Sequence, residues 1–424
     1  MKDSGVEWIG EIPRTWRIVP VKAVFKSEKT IVGSLEKDFQ RLALTLDGVI
    51  PREKIDSNGL QPANFETYQI VRKKDLIFKL IDLENIRTSR VGLSEYEGIV
   101  SPVYIRLVNE RASEYGFWYF YDLWNQNVFN VLGSGVRSNL TSKDLLNLPF
   151  IENNNSMEIV RKIKKEVKVI NNIVSKTKQS IEELKKYKQS LITEVVTKGL
   201  DKNVEMKDSG IEWIGEIPKD WEIVKLKKII SNKLQYGANE SGIPYNPECP
   251  RYIRITDIMD SKTLKDENKI SLEVEKSRNY LLEEGDFLFA RSGASVGKFY
   301  LVDQKNTGSA FAGYLIRAKF NVEKVLPKYF EYYAHSWIYD EWKQSISIQS
   351  TIENIGAEKY NNLFVILPDI VTQKLLIKYL DKHREVIDNL ITNKIKIINE
   401  YESYKKSLIY EYVTGKKEVG EEVE

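Results

Sequence analysis

The chain has 424 residues, and its 64 Lys and Arg nearly balance its 61 Asp and Glu, leaving a net charge of +3. This length corresponds to about two to four domains, and 42% hydrophobic with 11% aromatic residues excludes a wholly disordered chain. A single cysteine, Cys249, excludes a disulfide framework or a cysteine-rich metal site and is typical of a reducing compartment.

Two further observations bear on location and partners. Residues 1–10 contain no apolar run of signal-peptide length, and no stretch approaches 18 apolar residues. We therefore expect a cytoplasmic protein with no membrane partner. The near-neutral charge neither requires nor excludes a polyanionic partner, because nucleic-acid binders often concentrate charge on one face.

The first predicted element is a globular unit over residues 1–150. Short β-type runs at 76–78 and 103–105 are followed by an aromatic-rich amphipathic stretch at 115–130. Gly, Asn and Asp interrupt these runs, as expected at the turns between strands. This pattern predicts a mixed α/β domain.

The second predicted element is a long helix within 151–200. No Pro or Gly occurs from Ser156 to Lys198, and Gly199 follows as a candidate C-cap. Apolar residues recur in alternating steps of four and three, which predicts packing against another helix along its length, about 65 Å at 1.5 Å per residue. The predicted packing residues are Ile163, Val167, Ile170, Val174, Ile181, Leu184 and Leu191.

The chain then repeats itself. Residues 1–22 read MKDSGVEWIGEIPRTWRIVPVK and residues 206–227 read MKDSGIEWIGEIPKDWEIVKLK, so 16 of 22 positions are identical. Residues 139–148 are echoed at 354–363. A period above 200 residues indicates a domain duplication. We predict a second mixed α/β unit over 201–369 that diverges from the first between these echoes.

A second heptad pattern predicts another long helix over 370–415, followed by a flexible tail at 416–424. Two matching helices in one chain predict an antiparallel coiled coil, which would hold the two globular units a fixed distance apart. The alternative is that each helix packs on its own globular unit. The predicted packing residues of the second helix are Leu380, Ile387, Ile391, Ile398 and Leu408.

No pattern indicates catalysis. The segment from Gly293 to Lys298 has only three residues between its glycines and continues with Phe299, whereas a nucleotide-binding P-loop needs four and a following Ser or Thr. The two histidines, His335 and His383, have no counterparts in the other half and are more typical of helix-surface or packing residues. The sequence contains no Pro-Pro-aromatic motif, which would indicate an amino-methyltransferase pocket. It also contains no Pro-Asp followed by acidic-x-Lys, which would indicate a common nuclease metal site. We expect a non-catalytic chain that holds no metal.

Polar and basic residues on predicted loops are the candidates for nucleic-acid contacts, because such side chains reach phosphates and base edges from a rigid scaffold. Arg291 and Lys298 flank a small-residue turn that would let both approach a backbone. The alternative for each candidate is a solvated surface charge. The candidates are Arg72, Lys79, Arg87, Arg90, Arg137, Arg251, Arg254, Arg291, Ser292, Lys298 and Gln349.

These motifs resemble one known family. The pattern Gly-x-Glu-Trp-Ile-Gly-Glu-Ile-Pro-x-x-Trp at 5–16 and 210–221 is similar to the opening of a target-recognition domain in Type I restriction-modification specificity subunits. The segments 139–149 and 367–380 resemble the end of such a domain and its entry into a helix. The junction at 149–156 departs from the usual Pro-rich, Glu-Gln form. The resemblance covers essentially the whole chain, twice.

The resemblance implies an α+β fold in which two pseudo-symmetric target-recognition domains are separated by two long helices packed as an antiparallel coiled coil. It implies a non-catalytic subunit that recognises a bipartite, asymmetric sequence in double-stranded DNA. Two methyltransferase subunits, which methylate adenine, and restriction/translocase subunits would be its partners. S-adenosylmethionine, ATP and magnesium would belong to those partners.

Two other interpretations stay open. The chain could be a coiled-coil scaffold that pairs two protein-binding modules without touching DNA, for which the near-neutral units are an argument. It could also be a free-standing enzyme such as a nuclease, although the motifs expected for one are missing.

Overall fold

The computed structural model describes residues 1–53, 64–84, 88–133, 139–259, 263–293, 296–347 and 354–419. The chain forms two compact units. The first unit contains Met1–Lys178 together with Ile395–Glu424, and the second contains Gln179–Lys394. Each unit therefore combines one globular domain with a segment from each of two long helices.

The first unit is built on two four-stranded sheets, ordered β6-β5-β10-β7 and β4-β11-β8-β9, with the smaller pairs β1-β2 and β12-β3. Its strands are β1 (Lys2–Asp3), β2 (Glu11–Ile12), β3 (Arg17–Pro20), β4 (Lys26–Ser27), β5 (Arg41–Thr45), β6 (Gly48–Arg52), β7 (Gln69–Val71), β8 (Leu76–Phe78), β9 (Val91–Leu93), β10 (Gly98–Val100), β11 (Ile105–Val108) and β12 (Pro149–Glu152). Its short helices are α1 (Ser113–Asn125), α2 (Val128–Leu132) and α3 (Ser142–Asn147).

The second unit repeats one of these sheets, in the order β16-β23-β20-β21, and adds the pairs β13-β14, β15-β24, β17-β19 and β18-β22. Its strands are β13 (Met206–Asp208), β14 (Glu216–Pro218), β15 (Glu222–Lys225), β16 (Gln235–Tyr236), β17 (Ile243–Pro244), β18 (Tyr252–Ile253), β19 (Ile270–Ser271), β20 (Phe287–Ala290), β21 (Phe299–Leu301), β22 (Ala310–Phe311), β23 (Leu315–Ala318) and β24 (Phe364–Leu367). Its short helices are α5 (Val274–Ser277), α6 (Pro327–His335), α7 (Trp337–Ser347) and α8 (Ala357–Asn361).

The two long helices are α4 (Ser156–Lys198) and α9 (Ile370–Thr414). Each is followed by a glycine with positive φ, +76° at Gly199 and +72° at Gly415, a conformation that glycine adopts without a Cβ penalty. No Pro or Gly occurs within residues 156–198 or 370–414, which accounts for the uninterrupted helices.

Within each unit the two helix segments contact each other. In the first unit, Tyr412 donates to Glu166 Oε1 at 2.6 Å and Lys405 Nζ donates to Asn171 Oδ1 at 3.2 Å. Residue numbers rise along α4 as they fall along α9, so these segments are antiparallel. In the second unit, Lys188 Nζ lies 2.5 Å from Asp388 Oδ1. The mixed α/β fold with two long antiparallel helices is confirmed.

The predicted packing residues lie on the covered faces of both helices. The buried ones are Ile163, Val167, Ile170, Val174, Ile181, Leu380, Ile387 and Leu408. The half-buried ones are Leu184, Leu191, Ile391 and Ile398. Several also belong to a domain core: residues 159–174 of α4 and 408–413 of α9 share one apolar cluster with β12 and α1. The long helices therefore pack on each other and on a globular domain at the same time.

A buried ion pair occurs at the same place in both repeated sheets. Arg106 Nε on β11 donates to Asp75 Oδ2, just before β8, at 2.6 Å. In the second unit Arg317 Nη1 on β23 lies 3.5 Å from Asp286 Oδ2, just before β20. All four side chains are at most 13% exposed. Each pair therefore ties the start of one strand to its antiparallel neighbour.

We predict that Asp75→Ala destabilises the first unit by about 3–5 kcal/mol, because it leaves the Arg106 guanidinium buried without its carboxylate. Chemical denaturation of the full chain measures this loss. Replacing the exposed Glu95 by Ala is the matched control and should change stability by less than about 0.5 kcal/mol. An equally small effect of Asp75→Ala would contradict the structural role of the pair.

A buried carboxyl in α1 makes the stability of the first unit depend on pH. Asp122 is 3% exposed, and its Oδ2 accepts a hydrogen bond from Gln126 Nε2 at 2.7 Å. Burial raises the pKa of Asp122 to about 7, although the Gln126 hydrogen bond and the charge of Lys416 act in the opposite direction. The folded chain thus holds this proton more tightly than the unfolded chain does. Its contribution to stability falls as pH rises from about 4 to about 7.

We predict that Asp122→Asn stabilises the chain at pH 8 and changes little at pH 4, because an amide accepts the Gln126 hydrogen bond without ionising. At about 1.4 kcal/mol per pKa unit, the gain at pH 8 is at most about 4 kcal/mol. Denaturation curves between pH 4 and pH 8 measure it, with Asp38→Asn at an exposed position as control. A gain that does not vary with pH would contradict the assignment.

Candidate nucleic-acid interface

The structure separates the predicted contact residues into several environments. Arg87, Arg137 and Gln349 lie outside the described residues. In the first unit, Arg72 is exposed in the turn before β8, where its backbone N–H donates to Asp75 Oδ2 at 2.7 Å. Lys79 follows β8, is half-buried and donates to Thr88 Oγ1 at 3.3 Å. Burial and the charge of Arg90 lower the pKa of Lys79.

Arg90 lies in the interior of the first domain, contrary to its predicted place on a contact loop. It is 2% exposed, and its guanidinium donates to the carbonyl oxygens of Lys79, Ile81 and Asp82 at 3.5, 3.4 and 3.0 Å. Burial lowers the pKa of this guanidinium. Arg90 therefore holds the segment after β8 in shape, and we reassign it from nucleic-acid contact to this structural role.

Arg251 and Arg254 in the second unit are also held by protein groups. Arg254 makes a two-point contact with Asp257, Nη2 to Oδ1 at 2.9 Å and Nε to Oδ2 at 3.2 Å. Arg251 Nη1 donates to Asn306 Oδ1 at 3.3 Å and lies 3.5 Å from Asp266 Oδ1. Arg251 lines a cleft of about 670 Å³ together with Asp266, Glu284, Asp303 and Glu331. Four carboxylates outnumber the three basic groups in this lining, Arg251, Lys305 and Lys328, so the cleft is net negative and disfavours a polyanion.

Arg291 and Lys298 lie at the turn end of one hairpin, as the predicted turn required. Strands β20 and β21 are antiparallel, with Phe289 opposite Phe299, and Ala290 N–H donates to Lys298 O at 2.8 Å. Ser292 lies next to Arg291 and pairs with Asn354 in an isolated antiparallel bridge. The hairpin thus brings three of the predicted contact residues together.

Lys298 lines a basic cleft of about 390 Å³ in the second unit. Three more lysines line it, Lys185 and Lys188 from α4 and Lys343 from α7, together with one carboxylate, Asp340. Lys343 Nζ lies 2.6 Å from Asp340 Oδ1. Lys185 and Lys188 also pair with carboxylates that do not line the cleft, with Glu182 Oε1 at 2.8 Å and Asp388 Oδ1 at 2.5 Å. The lining itself carries four ammonium groups and one carboxylate, an excess of positive charge that attracts an anion such as a DNA phosphate.

This cleft explains the glycine that made the hairpin resemble a nucleotide-binding loop. Gly297 has φ +76°, and a Cβ at this position would lie 2.1 Å from Lys343 Cδ. The backbone conformation therefore favours glycine, and a side chain at this position would displace Lys343 from the cleft. Lys185, Lys188 and Lys343 were not among the contact residues predicted from the sequence. The spacing of Lys185 and Lys188, three residues apart, was the available signal, since such residues share one helix face.

Two negative findings concern the described residues only. Within the described ranges, no helix is long and apolar enough to cross a membrane. Among the same residues, no group of three or more His, Cys, Asp or Glu side chains is arranged to hold a metal ion.

Two mixed α/β domains that share one repeated sheet order define a duplicated two-domain protein. Residues 218–400 match the family described as Type I restriction modification DNA specificity domain. The chain is 24% identical to the Type I restriction enzyme MjaVIII specificity subunit of Methanocaldococcus jannaschii, over 96% of this chain and 93% of that protein. It is 21% identical to the Type I restriction enzyme StySPI specificity subunit of Salmonella potsdam, over 92% and 87%.

Solved structures share the fold. A chain from a structure described as "Structural basis underlying complex assembly and conformational transition of the type I R-M system" has a TM-score of 0.71 at 16% identity, covering 95% of this chain and 98% of that one. The HsdS subunit from Thermoanaerobacter tengcongensis has a TM-score of 0.50 at 16% identity, covering 98% and 100%. Over nearly its whole length the chain is thus similar to Type I restriction-modification specificity subunits, and residues 218–400 match the DNA specificity domain of that family.

We predict that Lys298→Ala and Lys343→Ala each weaken binding of double-stranded DNA to the full chain and lower the slope of log K against log salt by about 1, because each removes one phosphate neutralisation. Filter binding or anisotropy across a salt series measures both quantities. Lys227→Ala, at an exposed position outside the cleft, is the control. Unchanged affinity and slope in both variants would return these lysines to solvated surface charges.

Proposed function

We propose that this chain is the DNA-sequence-specificity subunit of a Type I restriction-modification complex. It recognises a bipartite, asymmetric sequence, one half with each domain, and directs adenine methylation and restriction by its partner subunits. The observation that carries the proposal is a duplicated scaffold whose two copies hold different side chains at equivalent loop positions.

The two domains share the order of one sheet and the position of a buried ion pair. The sheets β4-β11-β8-β9 and β16-β23-β20-β21 have the same order, and each carries its buried Asp–Arg pair with the same separation of 31 residues, 106 − 75 and 317 − 286. In the first domain the N–H of Leu140 donates to Leu80 O at 2.9 Å. In the second the N–H of Ile355 donates to Arg291 O at 2.8 Å. Leu80 and Arg291 therefore occupy equivalent positions.

The side chains at these equivalent positions differ. Leu80 is buried in the apolar core of the first domain, whereas Arg291 is partly exposed at the end of its hairpin. One scaffold that presents different side chains at matching sites can recognise two different half-sites, because specificity comes from contacts to base edges. The match of residues 218–400 to a DNA specificity domain supports DNA recognition over a scaffold for two protein-binding modules.

We propose that two methyltransferase subunits and the restriction/translocase subunits carry the chemistry, and that the chain itself is non-catalytic. S-adenosylmethionine, ATP and magnesium then belong to those partners. The family supports this division of labour, since its model is described as a DNA specificity domain. In such a complex this chain contributes affinity and register on the DNA.

We predict that exchanging residues 206–369 for the corresponding domain of another specificity subunit changes one half of the methylated motif and leaves the other half unchanged. The donor should retain carboxylates equivalent to Glu331 and Asp340, because Arg384 of α9 and Gln189 of α4 bond to them at 3.1 and 2.7 Å. Sequencing of modified bases in a strain carrying the hybrid measures the motif.

The reciprocal exchange of residues 1–150 is the control and should change the opposite half. If either exchange alters both halves, the two domains do not recognise DNA independently, and the modular proposal is wrong.

A further inference from the structure

Arg291 is held in place on both sides of its backbone. It follows β20, and its N–H donates to Tyr314 O at 3.1 Å while its carbonyl accepts from the N–H of Ile355 at 2.8 Å. The side chain therefore starts from a point fixed by three chain segments. Tyr314 beside it is 60% exposed, so this end of the hairpin lies on the protein surface.

The guanidinium of Arg291 is also oriented. Its Cζ lies 5.0 Å from the centre of the Tyr236 ring, within the range of a cation–π contact. Tyr236 is fixed in turn, because it lies on β16 opposite Ile316 and its hydroxyl accepts the N–H of Ala357 at 3.0 Å. A planar guanidinium held over a ring loses little conformational entropy when it binds a ligand.

The hydrogen-bonding capacity of this arginine is unused within the described part of the chain. Its Nε is buried without a hydrogen-bond partner, as is Asn354 Oδ1 on the neighbouring segment. Arg291 also forms no ion pair there, in contrast to Arg251 and Arg254 in the same unit. A charged group with unsatisfied donors is costly to keep partly buried. A ligand that offers two acceptors in one plane would pair with the two terminal Nη groups; the buried Nε takes no part in that contact.

We propose that Arg291, stacked on Tyr236, is a specificity-determining residue that recognises one guanine in the half-site of the second domain. The terminal Nη groups donate to O6 and N7 of the base in the major groove, the commonest base-specific contact of arginine, and a guanidinium oriented by a ring suits this two-point contact. A phosphate can accept the same two hydrogen bonds but carries no sequence information, so a phosphate contact would change affinity for all sequences alike. The inference rests on the proposed function.

The equivalent residue Leu80 has no such donors, so this contact belongs to the second domain alone. Discrimination at one base pair by a bidentate arginine is expected to be about ten- to hundredfold. Loss of the contact should therefore relax one position of one half-site and leave the rest of the motif intact.

The test is Arg291→Lys in the full chain, assembled with its partner subunits. Lysine keeps the charge and loses the planar donor pair, so we expect methylation to spread to motifs that lack one guanine in the second half-site. The salt dependence of DNA binding should stay unchanged. Arg278→Lys, at an exposed position of the same unit, is the matched control and should keep the original motif.

A second variant tests the stack. Tyr236→Leu removes the ring under Arg291 and should relax the same base position, to a smaller extent than Arg291→Lys. Thermal unfolding of each variant checks that the domain stays folded.

Two outcomes overturn the inference. One is an unchanged motif in Arg291→Lys. The other is a uniform loss of affinity for all sequences without relaxation at any position, which identifies a phosphate contact. The proposed function fails separately, if the unaltered chain directs no sequence-specific methylation in the first place.

Discussion

The buried pair of Asp286 and Arg317 is the constraint on which the candidate interface depends. It joins the start of β20 to β23, and these strands pair antiparallel over four residues from Phe287 to Ala290. With the start of β20 fixed, its end is fixed too, and Arg291 emerges beside Tyr314 and over Tyr236. Asp75 and Arg106 impose the same constraint in the first domain. A charge pair that is satisfied only in one register is a strong means of specifying that register.

This constraint explains how one scaffold can serve two recognition sites. The pair and the strands it joins are kept in both domains, while the residue that leaves the end of the strand differs, Leu80 in one and Arg291 in the other. Leu80 belongs to the apolar core of the first domain, whereas Arg291 is partly exposed, so the same strand end packs inside one domain and reaches the surface of the other. Under the proposed function, partner subunits carry the chemistry, and this chain supplies position and selectivity.

Local patterns in the sequence were sufficient to predict the duplication, the two helices and their antiparallel packing. Heptad spacing and the absence of Pro and Gly act within a few turns and do not depend on tertiary contacts. The packing of the end of α9 on the first domain was not predictable in this way. Tyr115 donates to Val413 O at 2.8 Å across 298 residues of chain, and an apolar stripe indicates that a face is covered without indicating by what.

The candidate interface was predictable only in part. Arg291, Ser292 and Lys298 were identified because a small-residue turn between strands places their side chains at one end of a hairpin. Arg90 was misplaced because a charged residue is expected on the surface, and only the carbonyl groups around it show how its burial is compensated. The contact between Tyr236 and Arg291 was not predictable from the sequence, because it depends on the pairing of β16 with β23, which are distant along the chain.

The most direct test of the central claim is to sequence modified bases in a methylation-free host that expresses the methyltransferase partner with and without this chain. We expect adenine methylation at one bipartite, asymmetric motif when the chain is present, and no sequence-specific methylation when it is absent. Methylation of the same motif in the absence of the chain would contradict the proposed function. So would the absence of a methylated motif when the chain is present in an assembled complex.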